Sequence, residues 1–541
     1  MNKRILVTGA SGSIGGAVAE AVLKTGNFDV RLILRDKPHN RVLAAKFTAL
    51  YGRNVEILTG DVLNSGDCAA AVDGVDYVLH FAAVVPPVAC HNPEAAEKIN
   101  YFGTKNLVDA IKASGRSDEI KFVEVGSMAQ YGNRNYLHPW ARVGDPLIPS
   151  YFDCYAVTKS RAERYVVESG LKYWLALRVS GVLHDAIVNE KLNDGLILYT
   201  PLSAPVELIT LKDATALFKN LVIFDAEGTL AAGFWRNVYN AGGGASSRLT
   251  GYGLFEKGFS LMNAHVEKLM EPYFQPVRNY FTCWYADGDI LNGYLNFRSQ
   301  GADEFFEQMK LSHAYYKLAK PFSPLVKKFY IGKLMKSTNS PAYWLEHGMT
   351  DRVKAFFVDY DVWGKLPRSW KDYPVMCKGK VFDKFCNIAE VDYKSLINPE
   401  NADKYKLSHG YDESKPLLTL GIGDFDEAAA FRGGKCLTRS AKTGDLHTLL
   451  SWECASGHVF KATAYGVLKA GYWCRDCCTP APWNFDETAK SSPFYAQVWY
   501  DSHLGDENMF LTADCYRDIP REDERDVLLS PPDKIKKYRK G

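Results

Sequence analysis

The chain has 541 residues, 47% of them hydrophobic and 24% charged. At roughly 100–200 residues per domain the length suggests about three domains, and the apolar content excludes disorder as the general state. Lys and Arg number 65 against 63 Asp and Glu, so no whole-chain field draws in nucleic acid or an anionic membrane.

No apolar run approaches the ~20 residues that span a bilayer. Met1-Asn2-Lys3-Arg4 runs straight into Ile5-Leu6-Val7-Thr8-Gly9, which leaves no room for a signal peptide. Twelve cysteines over the chain are too sparse for a disulfide scaffold and read as free thiols, so the expected location is the cytoplasm.

Apolar runs at 4–8, 30–34, 55–58, 75–79, 121–125 and 173–179 predict short buried strands. Helical stretches lie between them, among them Gly16 to Lys24 and Gly103 to Ser114. This alternation, carried to about residue 245, predicts an α/β fold with a doubly wound parallel sheet, and from about 250 to 330 the pattern is mixed and aromatic. Residues 331–432 are irregular and aromatic, with Tyr343, Trp344, Phe356, Phe357, Tyr360, Trp363 and Trp370. They read first as core between domains, with a lid over an apolar substrate or a membrane-surface contact as other readings. A Cys/Gly/His segment follows at 433–482. The segment 483–541 ends in a basic tail, Lys534 to Lys540, that reads as a solvated end.

Thr8-Gly9-Ala10-Ser11-Gly12-Ser13-Ile14-Gly15 sits between the first strand and first helix. Glycines at that spacing permit the tight turn and let backbone N–H groups approach a pyrophosphate at the helix N-terminus. After the second strand, Arg35-Asp36 offers both an arginine for the 2′-phosphate of NADP and an acid for the free 2′-hydroxyl of NAD. Arg35 stands first, which favours NADP. Asp61 with Val62, after the third strand, is placed to meet adenine or to cap the next helix.

Tyr155 and Lys159 lie at i and i+4 on one helix face. An ammonium near a phenol lowers its pKa and lets it act as acid or base. Ser127 ends the fifth strand at the carboxyl edge of the sheet, where ligands bind, and can polarise a substrate carbonyl. Asn100 is placed to anchor a water behind Lys159 or to serve as a polar helix residue.

These pieces resemble the extended short-chain dehydrogenase/reductase family, the NAD-dependent epimerase/dehydratase group. The matching segments are the Thr8–Gly15 turn, Gly60-Asp61, His80-Phe81-Ala82-Ala83, Asn100 with Gly103-Thr104, Ser127 with Tyr131-Gly132, Tyr155/Lys159, Leu177-Arg178, and Asn240 with Gly242-Gly243-Gly244. The resemblance covers about residues 1–330. It implies a Rossmann domain followed by a smaller substrate lobe, with Tyr155 as acid/base, Lys159 on the nicotinamide ribose and Ser127 orienting substrate. Ala82, Ala83 and Val182 join the cofactor site, and a homodimer is the default assembly. Sugar-nucleotide dehydratases of that family carry Thr-Asp-Glu where this chain has Ser127-Met128-Ala129, and the Arg178–Leu183 segment lacks the Tyr-Gly-Pro ending of sugar epimerases. The expectation is therefore an oxidoreductase interconverting a secondary alcohol and a ketone, on a bulky apolar or steroid-like substrate. A nucleotide-sugar epimerase holding NAD and a non-catalytic nucleotide sensor are the alternatives.

Cys454 with His458, then Cys474 with Cys477, form two short-spaced pairs a hairpin apart. That spacing suits a closed, tetrahedral, structural Zn²⁺ and resembles small zinc ribbons. Cys436 or Cys478 can replace His458 as fourth ligand, and a redox dithiol or plain buried thiols are the other readings. The flanking Lys and Arg alternate with acids, so no nucleic-acid stripe stands out.

Overall fold

The computed structural model describes residues 2–150, 152–185, 194–313, 325–478, 485–505 and 507. The basic tail at Lys534–Lys540 and the ribbon's last residues, 479–482, lie outside the described residues.

Seven strands form one parallel sheet. Their spatial order is Asn237–Ala241, Trp174–Val179, Lys121–Ser127, Tyr77–His80, Lys3–Thr8, Phe28–Leu34 and Val55–Thr59. Each predicted run begins or ends within three residues of the observed strand. The chain starts in the middle of the sheet and winds outward both ways, so its carboxyl edge carries a switch point between Lys3–Thr8 and Tyr77–His80.

Alternate residues of each strand feed two faces. Ile5, Val7, Leu32, Leu79, Val123 and Leu175 pack with Val18, Val22 and Leu217, on helices Ser13–Leu23 and Leu211–Ala226. Leu6, Val78, Phe122 and Ala176 point the other way, onto helices Ser65–Val72, Thr104–Ala113 and Cys154–Val167. That second core does not stop at the Rossmann helices. It runs on through Trp344, Phe356 and Phe357 of the aromatic segment, Trp452 and Trp473 of the Cys/His segment, and Phe494 and Trp499 beyond it. Trp344, Phe356 and Phe357 are buried, which accords with the core reading of those aromatics, whereas Tyr360 is exposed.

The helix expected from Gly103 begins one residue later, at Thr104, because a π-helical turn, Glu97–Gly103, precedes it. Strands Gly181–Leu183, Pro205–Thr210 and Arg248–Thr250 form a small mixed sheet over the carboxyl edge, beside helices Gly251–Ser260 and Ala302–Ser312. The Cys/His segment is a three-stranded antiparallel ribbon, Lys435–Cys436, Leu449–Glu453 and Val459–Thr463, followed by helix Ala464–Leu468. Among the described residues, no helix is long and apolar enough to cross a membrane.

Candidate active site

The glycine turn is fixed by close approach. Gly9 has φ of +69°, and a Cβ there would stand 2.6 Å from the backbone of Phe81 and Ala82. A Cβ on Gly15 would stand 2.5 Å from the Gly9 carbonyl oxygen. Only glycine lets the turn close against the loop after the fourth strand. Thr8 Oγ1 accepts from Ala82 N–H (3.1 Å) and pairs with His80 Nδ1 (2.7 Å). His80 Nε2 meets Thr104 Oγ1 at 3.0 Å, so one buried chain of bonds ties the turn, that loop and helix Thr104–Ala113. Burial, then the nearby Lys159 ammonium, push the His80 imidazole down to about 3, which keeps it neutral. Gly12 caps helix Ser13–Leu23 with no side chain, and Ser11, Gly12 and Ser13 are exposed. First-turn N–H groups without a side-chain cap are an anion site. Ile14 is half-buried behind them.

Asp36 is held bidentately by Arg41, at 2.6 and 2.9 Å, and not by Arg35. Arg35 is exposed and has no side-chain partner among the described residues. Asp61 accepts from Leu63 N–H (3.0 Å) in a tight turn, with Val62 buried beside it. The next helix is capped by Asn64, which leaves Asp61 outside that role. Ala82, Ala83 and Val182 are half-buried along the same edge.

Ser127 closes its strand as the N-cap of the turn Met128–Tyr131. Its Oγ accepts from Ala129 N–H (3.2 Å), and its N–H donates to Gln130 Oε1 (2.8 Å). Helix Cys154–Val167 is capped by the buried Asp153 and presents Tyr155 to Ser127. Burial is the first cause that raises the Tyr155 phenol. The Ser127 hydrogen bond pulls it down, and the carboxylates of Glu124 and Asp153 raise it further. The phenol is thus protonated at neutral pH, an acid waiting for a base.

Lys159 is buried and its Nζ lies 3.3 Å from Glu124 Oε1. Burial pushes Glu124 up to about 7 against the pull of the Lys159 ammonium. Asn100 sits in the π-helical turn, and its two amide protons go to Val84 O and Thr158 Oγ1, both at 3.0 Å. Its Oδ1 accepts from Val84 N–H at 2.7 Å, leaving one lone pair that a water can use.

The family model for the NAD dependent epimerase/dehydratase family matches residues 5–182. A 3 beta-hydroxysteroid dehydrogenase/Delta 5-->4-isomerase of Mycobacterium tuberculosis is 30% identical over 191 residues, 33% of this chain and 47% of that protein. An uncharacterised chloroplastic protein of Arabidopsis thaliana is 28% identical over 193 residues, 33% of this chain and 53% of that protein. The chain thus spans about half the length of these relatives. A dTDP-glucose 4,6-dehydratase of Bacillus anthracis, solved with NAD, is 18% identical with a TM-score of 0.45, covering 59% of this chain and 99% of that one.

Beneath the Ser127–Tyr155 contact lies a buried charged hub that sequence reasoning missed. Glu163, on the Tyr155 helix, is fully buried. Its Oε1 accepts from Arg178 Nη2 (2.6 Å) and Tyr472 Oη (2.8 Å). Its Oε2 accepts from Arg178 Nε and Gln130 Nε2, both at 3.0 Å. A usable signal was present, since Glu124 and Arg178 are charges inside otherwise apolar parallel strands.

Cys454, His458, Cys474 and Cys477 bring their ligand atoms within 4.8 Å of one another. Cys454 Sγ stands 3.6 Å from Cys477 Sγ, and His458 Nδ1 stands 3.3, 3.4 and 3.7 Å from Cys477, Cys454 and Cys474. Zinc bonds of about 2.3 Å to sulfur and 2.0 Å to nitrogen give tetrahedral edges of about 3.5–3.8 Å, so the donor set fits that ion. Cys454 and His458 flank the tight turn of the second hairpin. Cys436 and Cys478 lie outside the set, against the Thr438 carbonyl and Tyr495.

Proposed function

We propose that the chain is an NADP-preferring oxidoreductase that interconverts a secondary alcohol and a ketone. The observation that carries this reading is the Ser127–Tyr155 contact at the sheet's carboxyl edge, beside the uncapped glycine turn. A nicotinamide cofactor, when bound, supplies or accepts the hydride. Ser127 Oγ holds the substrate oxygen, and Tyr155 Oη gives its proton to the forming alkoxide or takes it back. Lys159 faces the nicotinamide ribose from the same helix face, and Asn100 fixes that helix to the loop after the fourth strand. The preference for NADP rests on Arg35 standing open while Arg41 neutralises Asp36. Gly9, Ser11, Gly12, Ser13, Ile14 and Gly15 receive the pyrophosphate. Cys454, His458, Cys474 and Cys477 hold a structural zinc with no open position.

For the substrate, we infer a bulky apolar alcohol of steroid-like size. Met128 and Ala129 are buried and apolar where a sugar-nucleotide dehydratase needs an acid and a base. The Mycobacterium tuberculosis relative bears a hydroxysteroid dehydrogenase name. The test counts the nucleotide released when freshly purified protein is denatured, then compares NADPH and NADH binding. An empty site with tighter NADPH binding is expected, together with loss of turnover in Tyr155→Phe at unchanged cofactor affinity. Near-stoichiometric NAD would instead mark a closed cycle, as in an epimerase, and overturn the reading.

A further inference from the structure

The helix that carries Tyr155 and Lys159 is buried on almost every side. Its sequence is nonetheless polar: Lys159, Ser160, Arg161, Glu163 and Arg164 are all buried. Buried charges persist only when paired and hydrogen-bonded. Lys159 meets Glu124, Arg161 meets Glu97, and Glu163 meets Arg178. Part of the helix's remaining polar surface is answered by the Cys/His ribbon. Tyr472 Oη donates to Glu163 Oε1 (2.8 Å) and lies 3.0 Å from the Ser160 carbonyl oxygen. The Trp473 carbonyl accepts from Arg164 Nη1 (3.0 Å), and the Ala470 carbonyl accepts from Arg178 Nη2 (2.7 Å). Gly471 allows this path, with φ of +83° and a Cβ position only 2.1 Å from the Asp145 carbonyl oxygen. Cys474, two residues after Tyr472, belongs to the four-ligand cluster.

We propose that the ribbon is the rear support of the catalytic helix, and that Tyr472 is a positioning residue for Lys159, Tyr155 and Ser127. This rests on the reading of those three residues given above. The route is short. Tyr472 holds the Ser160 carbonyl, next to Lys159, and Glu163, one turn on. Glu163 holds Gln130, and Gln130 holds the Ser127 N–H. The cysteine–histidine cluster pins the loop on which Tyr472 sits, just before Cys474, so the ligands and the reacting groups share one rigid path. A displacement of the helix by a fraction of an ångström separates the Tyr155 and Ser127 hydroxyls from the same substrate oxygen.

The experiment compares Tyr472→Phe with Tyr465→Phe. Tyr465 is an equally buried ribbon tyrosine, but its hydroxyl serves Val238 and Asn237 on the outer strand. Amide hydrogen exchange across 154–167 and steady-state kinetics with NADPH and a ketone are measured on the full chain. Tyr472→Phe is expected to speed exchange across 154–167 and lower kcat about tenfold with KM little changed. Tyr465→Phe is expected to lower the melting temperature while leaving both readouts near wild type. Equal exchange in the two variants would overturn the proposal. Exchange needs no turnover, so it decides the support even if no ketone is reduced, an outcome that strikes only the function reading. Should Tyr472→Phe not fold, Arg164→Gln removes the Trp473 carbonyl contact from the helix side and is read the same way.

Discussion

Replacing Glu163 by glutamine is nearly isosteric, and its cost follows from the four bonds the carboxylate accepts. Each oxygen takes two donors: Arg178 Nη2 and Tyr472 Oη on one, Arg178 Nε and Gln130 Nε2 on the other. A carboxamide has one acceptor oxygen, so either orientation sets an NH2 group against two donors. The Arg178 guanidinium, itself fully buried, also loses its counter-ion. Breaking a buried pair from one side costs about 3–5 kcal/mol, against a total stability of about 5–15 kcal/mol. Guanidinium unfolding followed by tryptophan fluorescence reads this directly, since Trp174 and Trp473 lie in the core concerned. The double variant Glu163→Gln with Arg178→Met is expected to recover much of the loss, because it removes the stranded charge. A single-variant cost below about 1 kcal/mol, or a double variant as damaged as the sum of the singles, would refute the reasoning.

Gly9→Ala is expected to abolish nucleotide binding in a folded protein. Its Cβ meets the backbone of Phe81 and Ala82 at 2.6 Å, and isothermal titration with NADPH checks it. Metal analysis of the purified chain is expected to give about one zinc per chain, and Cys454→Ser less than half of that; a metal-free wild type sinks the zinc reading. Glu124 rises from its ordinary 4.5 to about 7 on folding, and Asp153 from 3.8 to about 7. The folded state therefore binds protons more tightly than the unfolded chain across that window. Their stabilising effect is full below the unfolded values and is lost as pH rises through about 7. Glu124→Gln, which copies the protonated acid, should flatten the fall in the denaturation midpoint between pH 4.5 and 7, and an unchanged slope would contradict it.

The strands and the glycine turn were legible because their signals are local. Short apolar runs, a Gly-x-x-Gly-x-x-Gly spacing and a Tyr-x-x-x-Lys pair need nothing from the rest of the chain. The Cys454/His458 and Cys474/Cys477 spacing was legible for the same reason. Lys159 facing Glu124 was not foreseen, since an i, i+4 spacing tells which helix face a lysine shares but not which strand lies beneath it. Tyr472 was invisible as a support because its partner Glu163 lies 309 residues away. The aromatic stretch 331–432 was harder to read because its helices are short and its rings pack from one to the next, as Trp344 of helix Pro341–Glu346 stacks on Phe356 of helix Thr350–Phe357.

The distance between Glu163 and Tyr472 also has a meaning in time. A ribosome adding ~5–20 residues per second reaches Tyr472 roughly 15–60 s after Glu163 has been joined. Throughout that interval the emerging sheet carries polar groups awaiting the ribbon and an apolar face awaiting Trp452, Trp473, Phe494 and Trp499. The nascent sheet is therefore an aggregation hazard and a customer for holding chaperones until the ribbon and the helices after it have been made. A stop codon placed after residue 430 should leave insoluble product, even though every residue assigned to the nucleotide and to the substrate has by then been made.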